Sequence, residues 1–105
     1  MSSISLIKDA NGSTGLIYRS VNITGQTTTL VKTGGGLLHS ITLNNPVATG
    51  TIKFNDALTD TTPVLGIITT KTSPMPVTLV YDIEFAVGLT IVTGTASQDI
   101  TIAYL

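Results

Sequence analysis

Apolar side chains recur at every second position over most of this chain. From Val77 to Phe85, the residues Val77, Leu79, Tyr81, Ile83 and Phe85 fall on one side, and Thr78, Val80, Asp82 and Glu84 on the other. Successive strand residues point to opposite faces, so this period predicts strands. A one-residue slip here would carry five apolar side chains into water, which specifies the register firmly. Shorter runs repeat the pattern. Leu37, Ile41 and Leu43 share a face with His39 and alternate with Ser40, Thr42 and Asn44. Ile52 and Phe54 alternate with Thr51 and Lys53. Val87, Leu89 and Ile91 alternate next, and Ile100, Ile102 and Tyr104 close the chain. No window carries a helical period with caps.

Turn residues separate these runs: Asn11-Gly12, Gly34-Gly35-Gly36, Asn44-Asn45-Pro46, Gly50, Asp60 to Pro63, Ser73 to Pro76, Gly88 and Gly94. The pattern predicts eight or nine strands, near 3–8, 15–23, 27–33, 36–44, 50–55, 64–70, 77–85, 88–93 and 99–104, in one all-β domain over 1–105. Short strands at this spacing indicate an antiparallel β-sandwich or barrel. The expected inward residues are Ile41, Leu43, Ile52, Phe54, Leu79, Tyr81, Ile83, Phe85, Leu89, Ile91, Ile100 and Ile102. Residues 1–11 are expected to form an N-terminal arm or a swapped strand.

Composition narrows the function. Charged residues make up 10% of the 105, against about 25% in typical soluble domains. Five basic and six acidic side chains leave a formal charge of −1, and threonine fills 20 positions. Such a surface is wet but weakly charged, and near-zero net charge favours association over repulsion. Threonine also favours strands in its own right. The few scattered basic residues, with no aromatic stripe, argue against nucleic acid as a partner. No apolar run approaches the ~20 residues of a membrane helix, and no membrane partner is expected. The segment Met1 to Lys8 lacks the basic start and apolar run of a signal peptide, so synthesis in a host cytoplasm is expected. The absence of cysteine removes disulfides, thiolate metal sites and Cys-His catalysis.

Candidate chemistry is thin. His39, the single histidine, is expected as a core or interface residue bonded to backbone, with Ser40 turned to the opposite face. Asp82 and Glu84 lie two apart on one strand face, a spacing compatible with a retaining glycosidase pair, but the chain has no Trp and only five aromatics to hold a sugar. A polar strand face is the expectation. Asn55 to Asp60 gathers oxygen ligands without the central Gly and late Glu of an EF-hand, and reads as a solvated turn. Gly34-Gly35-Gly36 has no Lys-Ser/Thr after it and reads as a tight bend needing positive φ. The expectation is a non-enzyme with no catalytic, cofactor or metal residues.

The segments Leu30-Val31-Lys32-Thr33-Gly34-Gly35-Gly36-Leu37-Leu38-His39-Ser40-Ile41-Thr42-Leu43-Asn44, Tyr81 to Thr95 (with Phe85-Ala86-Val87-Gly88-Leu89-Thr90-Ile91) and Asp99-Ile100-Thr101-Ile102-Ala103-Tyr104 resemble a group of short tailed-bacteriophage virion proteins. The shared pattern is Lys-Thr-Gly-x-Gly-x-Leu-His, then Phe-x-x-Gly-Leu-x-Ile/Val, then a terminal Asp-Ile/Val-Thr-x-x-Tyr. The likeness spans about Thr27 to the C-terminal residue. It implies a jelly-roll sandwich and a head-decoration or fibre-like role, and it carries over no catalytic residue. The expected partners are the chain itself, as a homo-oligomer and most simply a trimer on a three-fold shell site, and the major capsid protein. The alternative is a receptor- or glycan-binding fibre module.

Overall fold

The structure, a computed structural model, describes residues 6–8 and 14–105, with side chains from Ile17 onward. Most of the expected arm, 1–11, therefore lies outside the described residues. The described residues form ten strands: β1 (Leu6–Lys8), β2 (Thr14–Leu16), β3 (Arg19–Gly25), β4 (Thr28–Thr33), β5 (Gly36–Leu43), β6 (Thr51–Asn55), β7 (Val64–Thr69), β8 (Val77–Phe85), β9 (Gly88–Gly94) and β10 (Gln98–Tyr104). The strand expected over 15–23 is two strands. β2 pairs with β1 in a separate two-stranded sheet, and β3 enters the main body after a break at Ile17-Tyr18.

The other eight strands pair as a nest. β6 pairs with β7, β5 with β8, β4 with β9 and β3 with β10, all antiparallel. Residues 19–104 thus form one long hairpin whose successive strand pairs alternate between two sheets. The sheets have the orders β3-β10-β5-β8 and β4-β9-β6-β7. This winding is the jelly roll, an all-β antiparallel sandwich.

The core lies between the sheets. In the first sheet, Ile23, Ile100 and Leu43 align across three strands, and Val21, Ile102, Ile41 and Leu79 across all four. The second sheet answers with Ile52, Phe54, Leu89 and Ile91, all fully buried. The Phe54 and Tyr81 rings meet edge to face across the sandwich at 4.8 Å, a favoured aromatic geometry. Nine of the twelve expected inward residues are buried. Leu79 and Tyr81 are half-buried against the core, and Ile83 is half-buried outside it. Ile23 and Leu38 join the core unforeseen.

Two expectations about β5 and the turn after β8 do not hold. Leu38, not Leu37, is the buried leucine. The reason is a bulge. Ser40 pairs with Ala103 and Leu38 with Tyr104, so His39 is an extra residue in β5. An extra residue reverses the face of everything beyond it. Val87 does not join Leu89 and Ile91 inside; it is exposed at the turn between β8 and β9.

The bend at Gly34 to Gly36 carries the chain from one sheet to the other. Gly34 sits at φ 91, and its N–H donates to Val87 O at 2.8 Å. Gly36 is needed for close approach instead. A Cβ there would run into the carbonyl of Leu105 and lie 2.7 Å from the Phe85 ring.

Phe85→Ala should cost about 3–5 kcal/mol in denaturant melts, as large core truncations do. Leu38→Ala should cost about 2–5 kcal/mol and Leu37→Ala much less. Equal costs at the two leucines would contradict the bulge.

Candidate interaction surface

The bulge decides where His39 goes. Its Nδ1 lies 2.5 Å from Asp82 Oδ1, and its ring stacks on Tyr18 at 4.0 Å with 12° between planes. The His39 side chain is half-buried at 28% exposed, and that of Asp82 is 54% exposed. Of the expected core or interface residue bonded to backbone, the core placement and, among the described residues, the backbone bond are not found: His39 is part-exposed and bonded to a carboxylate. Ser40 beside it is buried, whereas the His39 side chain is part-exposed. Among the described residues no hydrogen bond joins the two, and a hydroxyl nucleophile needs that bond to its base. Asp82 sits at φ 49 where β8 carries an extra residue of its own, between the pairs Leu38–Ile83 and Ser40–Val80. Its carboxylate is turned to His39, while Glu84 stays exposed.

The oxygen-rich loop after β6 is a clasp rather than a solvated turn. Asp56 accepts hydrogen bonds from the backbone N–H groups of Ala86, Val87 and Gly88 at 2.8–3.3 Å, which pins the β8–β9 turn. Thr90 Oγ1 donates to Ala57 O at 2.8 Å, so the loop also covers the outer face of β9. Asp60 is held by Lys53 Nζ at 2.5 Å and by Asn55. Both carboxylates therefore already have donors. Partial burial pushes the Asp56 carboxyl up, but the three backbone donors together outweigh it and hold the group below its usual range. Lys53 does the same for Asp60, by hydrogen bond and by charge.

The surface that stands out is an edge. β3 and β4 border the sandwich on one side, and β7 and β8 on the other. β3 carries Arg19 and β4 carries Lys32, whereas β7, Val64-Leu65-Gly66-Ile67-Ile68-Thr69, has no charge. The first five residues of β8, Val77-Thr78-Leu79-Val80-Tyr81, have none either. Between these two edges opens a cavity of about 280 Å³ lined by Leu43, Ile68, Pro74, Met75, Val77 and Leu79, with Lys71 at its rim. Met75 (76%), Val80 (62%) and Ile67 (58%) are the most exposed large apolar side chains among the described residues. All three belong to this region. Unpaired strand edges without charge are sites for further pairing.

Strand periodicity alone does not find this surface, because it says which residues face inward but not which strands lie outermost. The usable signal was the missing charge in both segments. No protein-family model, curated protein or solved structure matches the chain.

Asp56→Asn should lower stability at pH 7 by about 1–2 kcal/mol, since bonds to a charged acceptor are stronger than neutral ones. The folded carboxyl titrates below the 3.8 of an unperturbed one. Its contribution is therefore complete above that value and is lost as pH falls through the folded value. Melts of the two proteins should begin to converge below about pH 4 and meet once the pH is below the folded value; a gap that persists there would refute the clasp.

Proposed function

We propose that this protein is a non-enzymatic structural component of a bacteriophage virion, a head-decoration protein that associates with itself and binds the major capsid protein of the shell. The observation that carries this reading is the pair of uncharged strand edges bordering an apolar cavity, on a molecule with almost no net charge. Edges of this kind are hazards unless a neighbour covers them. A charge-poor, hydroxyl-rich exterior suits subunits pressed closely together. The jelly roll occurs in viral capsid domains as well as in lectins and cupins. A cupin-type metal centre is ill served by a chain with one histidine.

The segments that resemble phage virion proteins also meet in the fold. Leu30 to Asn44 covers most of β4 and all of β5, and Tyr81 to Thr95 covers the end of β8 and all of β9. These strands pair with one another, and the Gly34–Val87 hydrogen bond joins their turns. Of the titratable groups that suggested chemistry, His39 is bonded to Asp82 and Asp60 to Lys53.

The test is co-sedimentation of the purified chain with intact head shells. Saturable binding to shells, at a stoichiometry set by shell symmetry, is expected. Binding to host cells or glycans but not to shells would transfer the case to a fibre module, and binding to neither would overturn the reading.

A further inference from the structure

We infer that two copies of this chain pair antiparallel through the edge of β8, about a two-fold axis at Leu79, so that the first sheets of the two molecules join into one of eight strands.

Register follows from where β8 can accept a neighbour. Pro76, just before the strand, has no N–H to donate. Asp82, with φ 49 and an extra residue, bends the edge away. The regular, uncharged stretch between these limits is Val77 to Tyr81, and its midpoint is Leu79. Antiparallel pairing about that midpoint sets Leu79 opposite Leu79, Val77 opposite Tyr81 and Thr78 opposite Val80. The inward-facing members, Val77, Leu79 and Tyr81, would then cover the open cavity from both sides and merge the two cores. The outward-facing Val80, now mostly in water, would be covered by its partner.

Charge selects a second copy of this chain, and the antiparallel sense, as the occupant. Exposed Lys71 precedes the N-terminal end of β8, while exposed Asp82 and Glu84 lie towards its other end. Two copies laid antiparallel bring the lysine end of each against the carboxylate end of the other, whereas a parallel pairing would put like beside like. A net charge of −1 on each molecule adds little repulsion. The contact is isologous and closes on itself, so it buries the edge without starting a filament. It stands in place of the three-fold contact expected from shell symmetry, and the two predict different masses. The inference deepens the self-association in the proposed function but does not need a capsid. A dimer that ignores shells would leave it standing and overturn the decoration role.

The experiment is sedimentation equilibrium of the full chain over a range of concentrations, expected to show a reversible monomer–dimer equilibrium. Val80→Lys places two like charges beside the axis at a position already in solvent. It should weaken the dimer at least tenfold while leaving the melting temperature of the dilute monomer unchanged. Lys71→Glu should weaken the dimer, and Lys71→Glu combined with Glu84→Lys should restore it. The chain has no cysteine, so Leu79→Cys gives a clean readout. Residue 79 faces its own copy at the roughly 4.5–5.5 Å Cα separation of antiparallel partners, within disulfide range. Mild oxidation should link Leu79→Cys into dimers and Val77→Cys hardly at all. A monomer at every concentration, a trimer, or a dimer that survives Val80→Lys would overturn the inference. So would a dimer lost only on removing residues 1–16.

Discussion

One residue too many in a central strand shapes much of this molecule. β5 lies between β10 and β8 and must keep register with both while burying one face. His39 is in excess against β10, and β8 in turn has an extra residue near Asp82. A strand cannot absorb an insertion without reversing its pleat beyond it. From that constraint follow the burial of Leu38, the appearance of His39 outside, its bond to Asp82 and its stacking on Tyr18. The same irregularity in β8 limits the straight part of its edge to Val77 to Tyr81. The surface chemistry and the candidate interface are thus two results of one packing requirement.

A surface this poor in charge must satisfy its polar groups in other ways. On the outer face of the first sheet, Asn22, Thr101, Thr42 and Thr78 align in one row across all four strands. Asn44 Nδ2 donates to Thr101 Oγ1 at 2.9 Å and to Asp99, Asn22 Nδ2 donates to Asp99 at 2.7 Å, and the Thr42 and Thr78 hydroxyls share a bond of 2.9 Å. Cross-strand pairs of this type stabilise a sheet by modest increments and leave little unmet polarity. Threonine serves both needs, since its branched Cβ suits a strand and its hydroxyl finds a partner across it.

Side chains from strands also hold the connections. Gln98 is buried and grips Val47 twice, accepting from its N–H and donating to its carbonyl, while the Thr70 hydroxyl donates to the same carbonyl and accepts from the Gly50 N–H. Asp56 does the equivalent for the β8–β9 turn. A buried loop backbone needs such partners because each unpaired N–H or carbonyl away from water carries a penalty. These clasps explain how a chain rich in turns packs its connections tightly without disulfides.

The period-two pattern determined, by itself, that the chain is all-β, where nearly every strand lies, and which side of β8, β9 and β10 faces inward. It could do so because burial of alternate residues is a local property, written in each strand separately. The Gly34 bend was legible for the same reason, since positive φ is a demand of the local backbone. The nesting of the strands into two sheets, and with it the identity of the outermost edges, required the tertiary structure. Pairing joins residues far apart in the chain, such as Arg19 and Tyr104 near its two ends, and nothing in the pattern of one strand names its partner. The bulge at His39 belongs to the same class. It exists only because β5 must match two neighbours at once, so Leu37 and Leu38 cannot be told apart until both neighbours are in place. Asp56 reads as a loop carboxylate in the sequence. Only the fold brings the three N–H groups of Ala86, Val87 and Gly88 to it.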